Sequence, residues 1–471
     1  MGMILMLLLF LQSLTTSIES TTAKTHRGVS FSYPHFQHLD VKQGIEETKL
    51  NLTRETESKE QNGKLRLVHR DKMISLHDSG GRHDPGRRFS DRMKRDVKRV
   101  ASLTGRLSYE AEAFGSDVVS GMEEGSGEYF ARIGVGSPPI SQYVVIDSGS
   151  DVIWLQCQPC DQCYHQSDPV FNPANSASFA GVSCSSVTCN RLENAYAGCS
   201  QEGRCHYQVS YGDGSYTKGT LALETLTMGR TTIQNVAIGC GHKNQGMFVG
   251  AGGLLGLGSG SMSFVGQLAG QTGGAFSYCL VSRGTGSSGS LEFGRESMPV
   301  GASWVPLVHN LRAPSFYYVG LSGLGVGALQ VPISEDVFSL GEQGDGGVVM
   351  DTGTAVTRLP TAAYNAFRDA FIAQTTNLPR ASRASIFDTC YNLNGFLSVR
   401  VPTVSFYFTG GPILTLPARN ILIPADNIGT FCFAFAPSPS KLSIIGNIQQ
   451  EGIQISVDVA SGFLGFGPNV C

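Results

Sequence analysis

The sequence predicts a mainly β protein built as two β-rich lobes. Three observations carry this: short glycine-bounded apolar runs, a low charge content, and one aspartate loop written twice far apart in the chain. Of the 471 residues 41% are hydrophobic and 15% charged, with 58 glycines, a composition that suits a packed, turn-rich chain rather than a solvated disordered one. The length leaves room for about three folding units. The net charge of -3 gives no reason to expect a nucleic-acid partner.

In chain order, Met3 to Leu11 reads MILMLLLFL, too short to span a bilayer and of the kind found in secretory signals, although no basic residue precedes it. Residues 1–20 are therefore read as a signal peptide and 21–116 as a basic prosegment. Lys24 to Arg106 holds 19 basic and 11 acidic residues, whereas Ser108 to Cys471 holds 16 basic and 26 acidic ones. The two parts attract each other, and the prosegment's positive charges are expected to lie across an acidic cleft at neutral pH and to let go as carboxylates protonate. Its runs LRLVHRDKM and RRFSDRMKRDVKRVASL are helix-compatible. Asn51-Leu52-Thr53 is a glycosylation acceptor within this removable stretch.

All 12 cysteines lie between Cys157 and Cys471, which fits disulfides formed in an oxidising compartment and so a secretory-pathway protein, extracellular or vacuolar. The run Cys157, Cys160, Cys163 lacks a second cluster to complete a metal site, so no metal or other cofactor is expected. The C-terminus carries no lipid-anchor signal. Of the lysines only Lys218, Lys243 and Lys441 fall in the acidic part, which suits an acidic compartment.

From Gly127 onward the chain reads as strands. EYFARIGVG and QYVVIDSGS come first, then Leu221 to Met228, Val236 to Gly239, Tyr317 to Leu321, Val401 to Phe408 and Ile453 to Val459. Ala362 to Thr375 shows helical spacing of its apolar residues. The lobes are assigned as 117–300, with a cysteine-rich insertion at 157–205, and 301–471.

The repeat is Val144-Val145-Ile146-Asp147-Ser148-Gly149-Ser150 and Val348-Val349-Met350-Asp351-Thr352-Gly353-Thr354. A buried strand ending at an aspartate sets a carboxylate at the edge of an apolar wall, and glycine permits the tight turn that brings donors towards it. Each loop has a later apolar pair plus glycine, Leu254-Leu255-Gly256 and Ile444-Ile445-Gly446, so the repeat spans whole lobes. One such loop alone would be an ordinary turn; two in matched contexts are not.

These residues resemble the pepsin-type aspartic proteases, in which two β-lobes each supply one such loop to a central cleft. The resemblance covers Glu128 to Cys471. Trp154 follows the first loop as in the family, and Tyr211-Gly212-Asp213-Gly214-Ser215 is similar to the flap hairpin. The cysteine-rich insertion resembles that of the plant nepenthesin-like, or atypical, members, including those named for guard cells. The resemblance implies an endopeptidase, made as a zymogen and active on protein or peptide substrates at acidic pH. It implies Asp147 and Asp351 as catalytic groups, with Asp147 ionised and Asp351 the proton donor. Ser148, Gly149, Ser150, Thr352, Gly353 and Thr354 support them, and Tyr211, Gly212, Asp213 and Gly214 form the flap. Two carboxylates about 3 Å apart repel by about 5 kcal/mol at an effective dielectric near 20, so the pair is expected to share one proton. A monomer without membrane anchor is expected.

Rival readings are a catalytically silent pepsin-like binding or inhibitor protein, which would typically have lost a catalytic aspartate, and a two-carboxylate glycosidase, which needs no duplicated loop or flap. Gly258-Ser259-Gly260-Ser261 and Gly284-Thr285-Gly286-Ser287 lack the surroundings of a serine nucleophile and read as turns. His165, His206, His242 and His309 show no paired spacing.

Overall fold

Tyr129–Val135 alternates side chains between two faces and buries Ile133 and Val135 on one of them, as a period of two requires. It pairs antiparallel with Ile140–Asp147, whose last four residues are all buried. That strand then runs parallel to Gly253–Gly256, with Gly256 beside Asp147. The second lobe repeats the plan: Val348–Met350 lies parallel to Ser443–Ile445, and Asp351 N donates to Ile445 O at 3.2 Å. The apolar-glycine elements read from the sequence are thus the strands that flank each aspartate. The computed structural model describes residues 35–48, 64–70, 85–108, 129–211, 215–246, 248, 250–281 and 289–470. Residues 1–20, Asn51 and the flap-tip residues Gly212, Asp213 and Gly214 lie outside that range.

An antiparallel sheet joins the lobes. Ala275–Cys279 lies between Gly289–Phe293 and Ile453–Asp458, the latter pairs with Phe463–Val470, and that strand pairs with Ser303–Val308. The predicted helix is present as Thr361–Gln374, burying Tyr364, Phe367 and Phe371. Val401 to Phe408 divides into Ser398–Pro402 and Val404–Phe408, because Pro402 has no backbone donor to carry a ladder onward.

The region before residue 109 holds more than helix. Leu65–His69 is a strand inserted between Gly289–Phe293 and Tyr129–Val135, burying Leu65, Leu67 and His69. Phe36–Asp40 is a second strand, paired with Ser398–Pro402 and followed by the helix Val41–Thr48. The helix Pro85–Ser108 opens with proline, whose missing N–H falls where a helix has no acceptor for it. Phe89, Met93, Val100 and Leu103 recur at intervals of three, four and seven and are all buried, so this helix packs one face against the body.

Candidate active site

Each aspartate is held by its own loop in the same way. Gly149 N donates to Asp147 Oδ1 at 3.0 Å and Ser150 Oγ to Asp147 Oδ2 at 2.6 Å. Gly353 N donates to Asp351 Oδ1 at 3.2 Å and Thr354 Oγ1 to Asp351 Oδ2 at 2.5 Å. The hydroxyls therefore orient the carboxylates as the sequence suggests. Across the lobes, Thr352 N donates to Ser148 Oγ at 2.9 Å and Ser148 N to Thr352 Oγ1 at 3.1 Å. Serine at 148 makes the reciprocal bond that threonine makes from the other side.

The glycines of the loops are required by close approach. A Cβ on Gly149 would stand 2.8 Å from Asp351 Oδ1, and one on Gly353 would stand 2.9 Å from Asp147 Oδ1. Each loop therefore reaches the carboxylate of the other. Both aspartates are buried, at 2% and 0% exposure, deep enough that neither charge is screened by water.

What faces them is Arg99, from the helix Pro85–Ser108. Its Nη2 donates to Asp147 Oδ1 at 2.6 Å and to Asp351 Oδ1 at 2.9 Å, its Nη1 to Asp147 Oδ2 at 3.2 Å and its Nε to Asp351 Oδ2 at 3.0 Å. One planar guanidinium thus bridges both carboxylates, a geometry that lysine's single ammonium lacks. Burial pushes the Asp147 carboxyl up, but Arg99 and the bonds from Ser150 and Gly149 outweigh it and hold the group below the usual carboxylate range. Burial likewise opposes the charge on Arg99, and the two carboxylates reverse that, raising its already high value. A cation thus stands between the two carboxylates, where it offsets their mutual repulsion.

The helix is seated by further polar contacts. Asp96 accepts from the backbone N–H of Ala355 at 2.7 Å and Val356 at 2.8 Å, and forms a buried pair with Arg358. Arg92 donates to Asn447 Oδ1 at 2.9 Å, while Asn447 Nδ2 donates to Thr352 O at 2.9 Å. Asn447 thus links the helix to the second aspartate loop. Sequence reasoning anticipated positive charge over the cleft but not Arg99, Asp96, Arg358 or Asn447. The signal was available: Arg92, Asp96 and Arg99 fall on the same stripe as Met93, Val100 and Leu103, and charges on an apolar stripe need buried partners.

Tyr211 is buried. Its hydroxyl accepts from Trp154 Nε1 at 2.8 Å, and Phe248 packs edge-on against both rings. Cys205–Ser210 and Tyr216–Met228 pair antiparallel up to Ser210 and Tyr216, and Tyr211 N donates to Ser215 O, so a hairpin frames this position. Ser259 donates to Pro314 O, as befits a turn. The cysteine run is divided between two disulfides, Cys157–Cys240 and Cys160–Cys163, with Cys184–Cys199 and Cys189–Cys205 closing the rest of the insertion and Cys390–Cys432 in the second lobe.

Two family models match, described as xylanase inhibitor N-terminal over residues 129–295 and xylanase inhibitor C-terminal over 316–468. The chain is similar to Protein Aspartic Protease in Guard Cell 2 of Arabidopsis thaliana, with 65% identity over 93% of this chain and 95% of that one. The chain belongs to the plant aspartic protease family. It is a nepenthesin-like member of the pepsin type, similar also to aspartic proteinase nepenthesin-2 of Nepenthes gracilis, at 38% identity over 80% of this protease and 85% of that one. Among solved structures that of edgp shares the fold, with TM-score 0.62 and 20% identity over 72% of this protease and 91% of that chain.

Proposed function

We propose that this protease is made as an inactive precursor in which Arg99 occupies the catalytic dyad, and that it hydrolyses peptide bonds once the helix Pro85–Ser108 has left. The activity is that of an aspartic endopeptidase. The supporting observation is the single guanidinium bridging Asp147 and Asp351. With Arg99 withdrawn, the two carboxylates repel and take up one proton between them in an acidic window. The ionised one, read as Asp147, takes the proton of a water attacking the scissile carbonyl, while the protonated one, read as Asp351, donates to the developing oxyanion. Ser150 and Thr354 fix the carboxylates, and Tyr211, tied to Trp154, closes over an extended substrate. Both loops come from one chain, which supports action as a monomer. The disulfides support a secretory destination, extracellular or vacuolar.

The division into a signal at 1–20, a prosegment at 21–116 and lobes at 117–300 and 301–471 is part of this reading. The inhibitor description of the family models raises a silent binding protein as the second reading, and the retention of both aspartates weighs against it. The test is full-length Arg99→Ala assayed on a denatured protein substrate at acidic pH. Pepstatin-sensitive cleavage without the lag of the unaltered precursor is expected. Absence of cleavage from both chains, with both folded, would overturn the reading.

A further inference from the structure

The region before residue 109 grips the body in several places, and one of them lies away from the aspartates, joined to the long helix by a bond from Arg88 Nη2 to Thr48 O at 2.8 Å. Phe36–Asp40 and Ser398–Pro402 form a two-stranded antiparallel sheet of their own over five registered pairs, from Phe36 opposite Pro402 to Asp40 opposite Ser398. Beyond the ladder, Thr403 N donates to His35 O at 3.0 Å, Val41 N to Leu397 O at 3.0 Å and Gln37 Nε2 to Leu416 O at 3.0 Å. The Arg400 guanidinium lies 4.2 Å from the Phe36 ring centroid. Asp40 caps the following helix by accepting from Gln43 N at 2.7 Å.

The packing beneath is that of a core rather than of a surface contact. Leu39 and Val41 are 4% and 0% exposed and belong to the same apolar cluster as Val399, Val401, Leu416 and Phe431. Gly44 lies so close to Phe431 that a Cβ there would stand 2.9 Å from the ring. Departure of this segment would leave Ser398–Pro402 without a strand partner and a cavity in the second lobe, both of which destabilise. Departure of the long helix, by contrast, would open a cleft lined by the two aspartates, which is what a substrate requires.

We infer that residues 35–48 are a lasting part of the second lobe, and that Ser398–Pro402 with its apolar bed is a strand-accepting surface that keeps them as a short second chain in the mature protease. The inference rests on the proposed removal of the helix Pro85–Ser108. Cleavage on either side of that helix therefore yields a complex of the strap and the main body, not a body stripped of everything before the first lobe. It also explains why Val41 and Leu39 contact no catalytic group while being as buried as the interior of the fold.

The experiment uses the full chain carrying three inserted recognition sequences for a site-specific protease, one between residues 49 and 63, one between 71 and 84, so that the strand Leu65–His69 is parted from the long helix, and one between 109 and 128. After cutting, the protein is brought to about pH 3.5, below the ordinary carboxylate value. It is then separated by size and weighed under native and denaturing conditions. The strap-containing piece is expected to travel with the main body in equal amount while the helix piece separates and activity appears. A strap that elutes alone overturns the inference, whatever the helix piece does. A helix piece that stays, with no activity, overturns the precursor reading and leaves the strap to be judged by its own elution. Val41→Asp should release the strap on cutting. Should that chain fail to fold, a labelled synthetic peptide of residues 35–48 should exchange into the cut unaltered protease, and one of scrambled order should not; equal exchange of the two overturns the inference.

Discussion

Asp147 and Asp351 each accept a bond from the glycine two residues on and the hydroxyl three residues on, and each loop lends a hydroxyl to the other's backbone. Their surroundings differ sharply. The side chains that seat the long helix cluster around the second loop: Asp96 on Ala355, Val356 and Arg358, Arg92 on Asn447, and Phe89 and Met93 among Val356, Phe387 and Ile423. Val100 and Leu103 pack with Phe316, Tyr318 and Val349 of the same lobe. Arg99 alone is shared evenly between the two loops. The difference teaches that chemistry and restraint are distributed unequally. The two lobes contribute aspartate loops of matching geometry, but the second lobe is the bed of the long helix while the first carries the Tyr211 hairpin.

If the loops are chemically equivalent, Asp147→Asn and Asp351→Asn should each lower kcat by roughly 10³-fold or more in the processed protease, with melting of the folded chain little changed. A variant that keeps substantial activity would break the equivalence. If restraint lies on the second lobe, Asp96→Ala should weaken the helix far more than any change on the first lobe outside Asp147. Removing one partner of a buried pair costs about 3–5 kcal/mol, here leaving Arg358 uncompensated. Helix release, followed by mass spectrometry of a chain cut on both sides of Pro85–Ser108, should then occur at higher pH than in the unaltered protein.

The pH dependence has a definite sign. Asp147 is held below the usual carboxylate range when Arg99 is present, so its contribution to holding the helix is complete above about pH 3.9 and disappears as pH falls through the lowered value. Arg99 stays charged throughout, so release should follow carboxylate protonation and should steepen below that pH; release that grows on raising pH would contradict the assignment. Smaller effects test the cross-lobe bonds. Thr352→Val and Ser148→Ala each strand one buried N–H, which costs about 1–3 kcal/mol, and equal drops in Tm are expected if the loops are interchangeable. Ser148→Thr keeps the hydroxyl and should lower Tm less than Ser148→Ala does.

The aspartate loops were legible in the sequence because the requirement is local: an apolar strand, a carboxylate, a glycine where the opposite loop comes within 3 Å of a would-be Cβ, and a hydroxyl. The strands that flank them were legible for the same reason. Phe36–Asp40 and Leu65–His69 were not, since each is a short segment whose partners are all distant in the chain, so nothing local distinguishes it from helix or coil. The role of Arg99 was hidden among the many basic residues of its region, and only the helical stripe it shares with Met93 and Val100 separates it from its exposed neighbour Lys94.

A cleft already filled by its own guanidinium offers no vacancy to a tight-binding ligand. On the proposed precursor reading, an inhibitor that must sit between Asp147 and Asp351 would be excluded until the helix withdraws, so stoichiometric titration with such a compound would count the converted molecules in a mixed population without any separation.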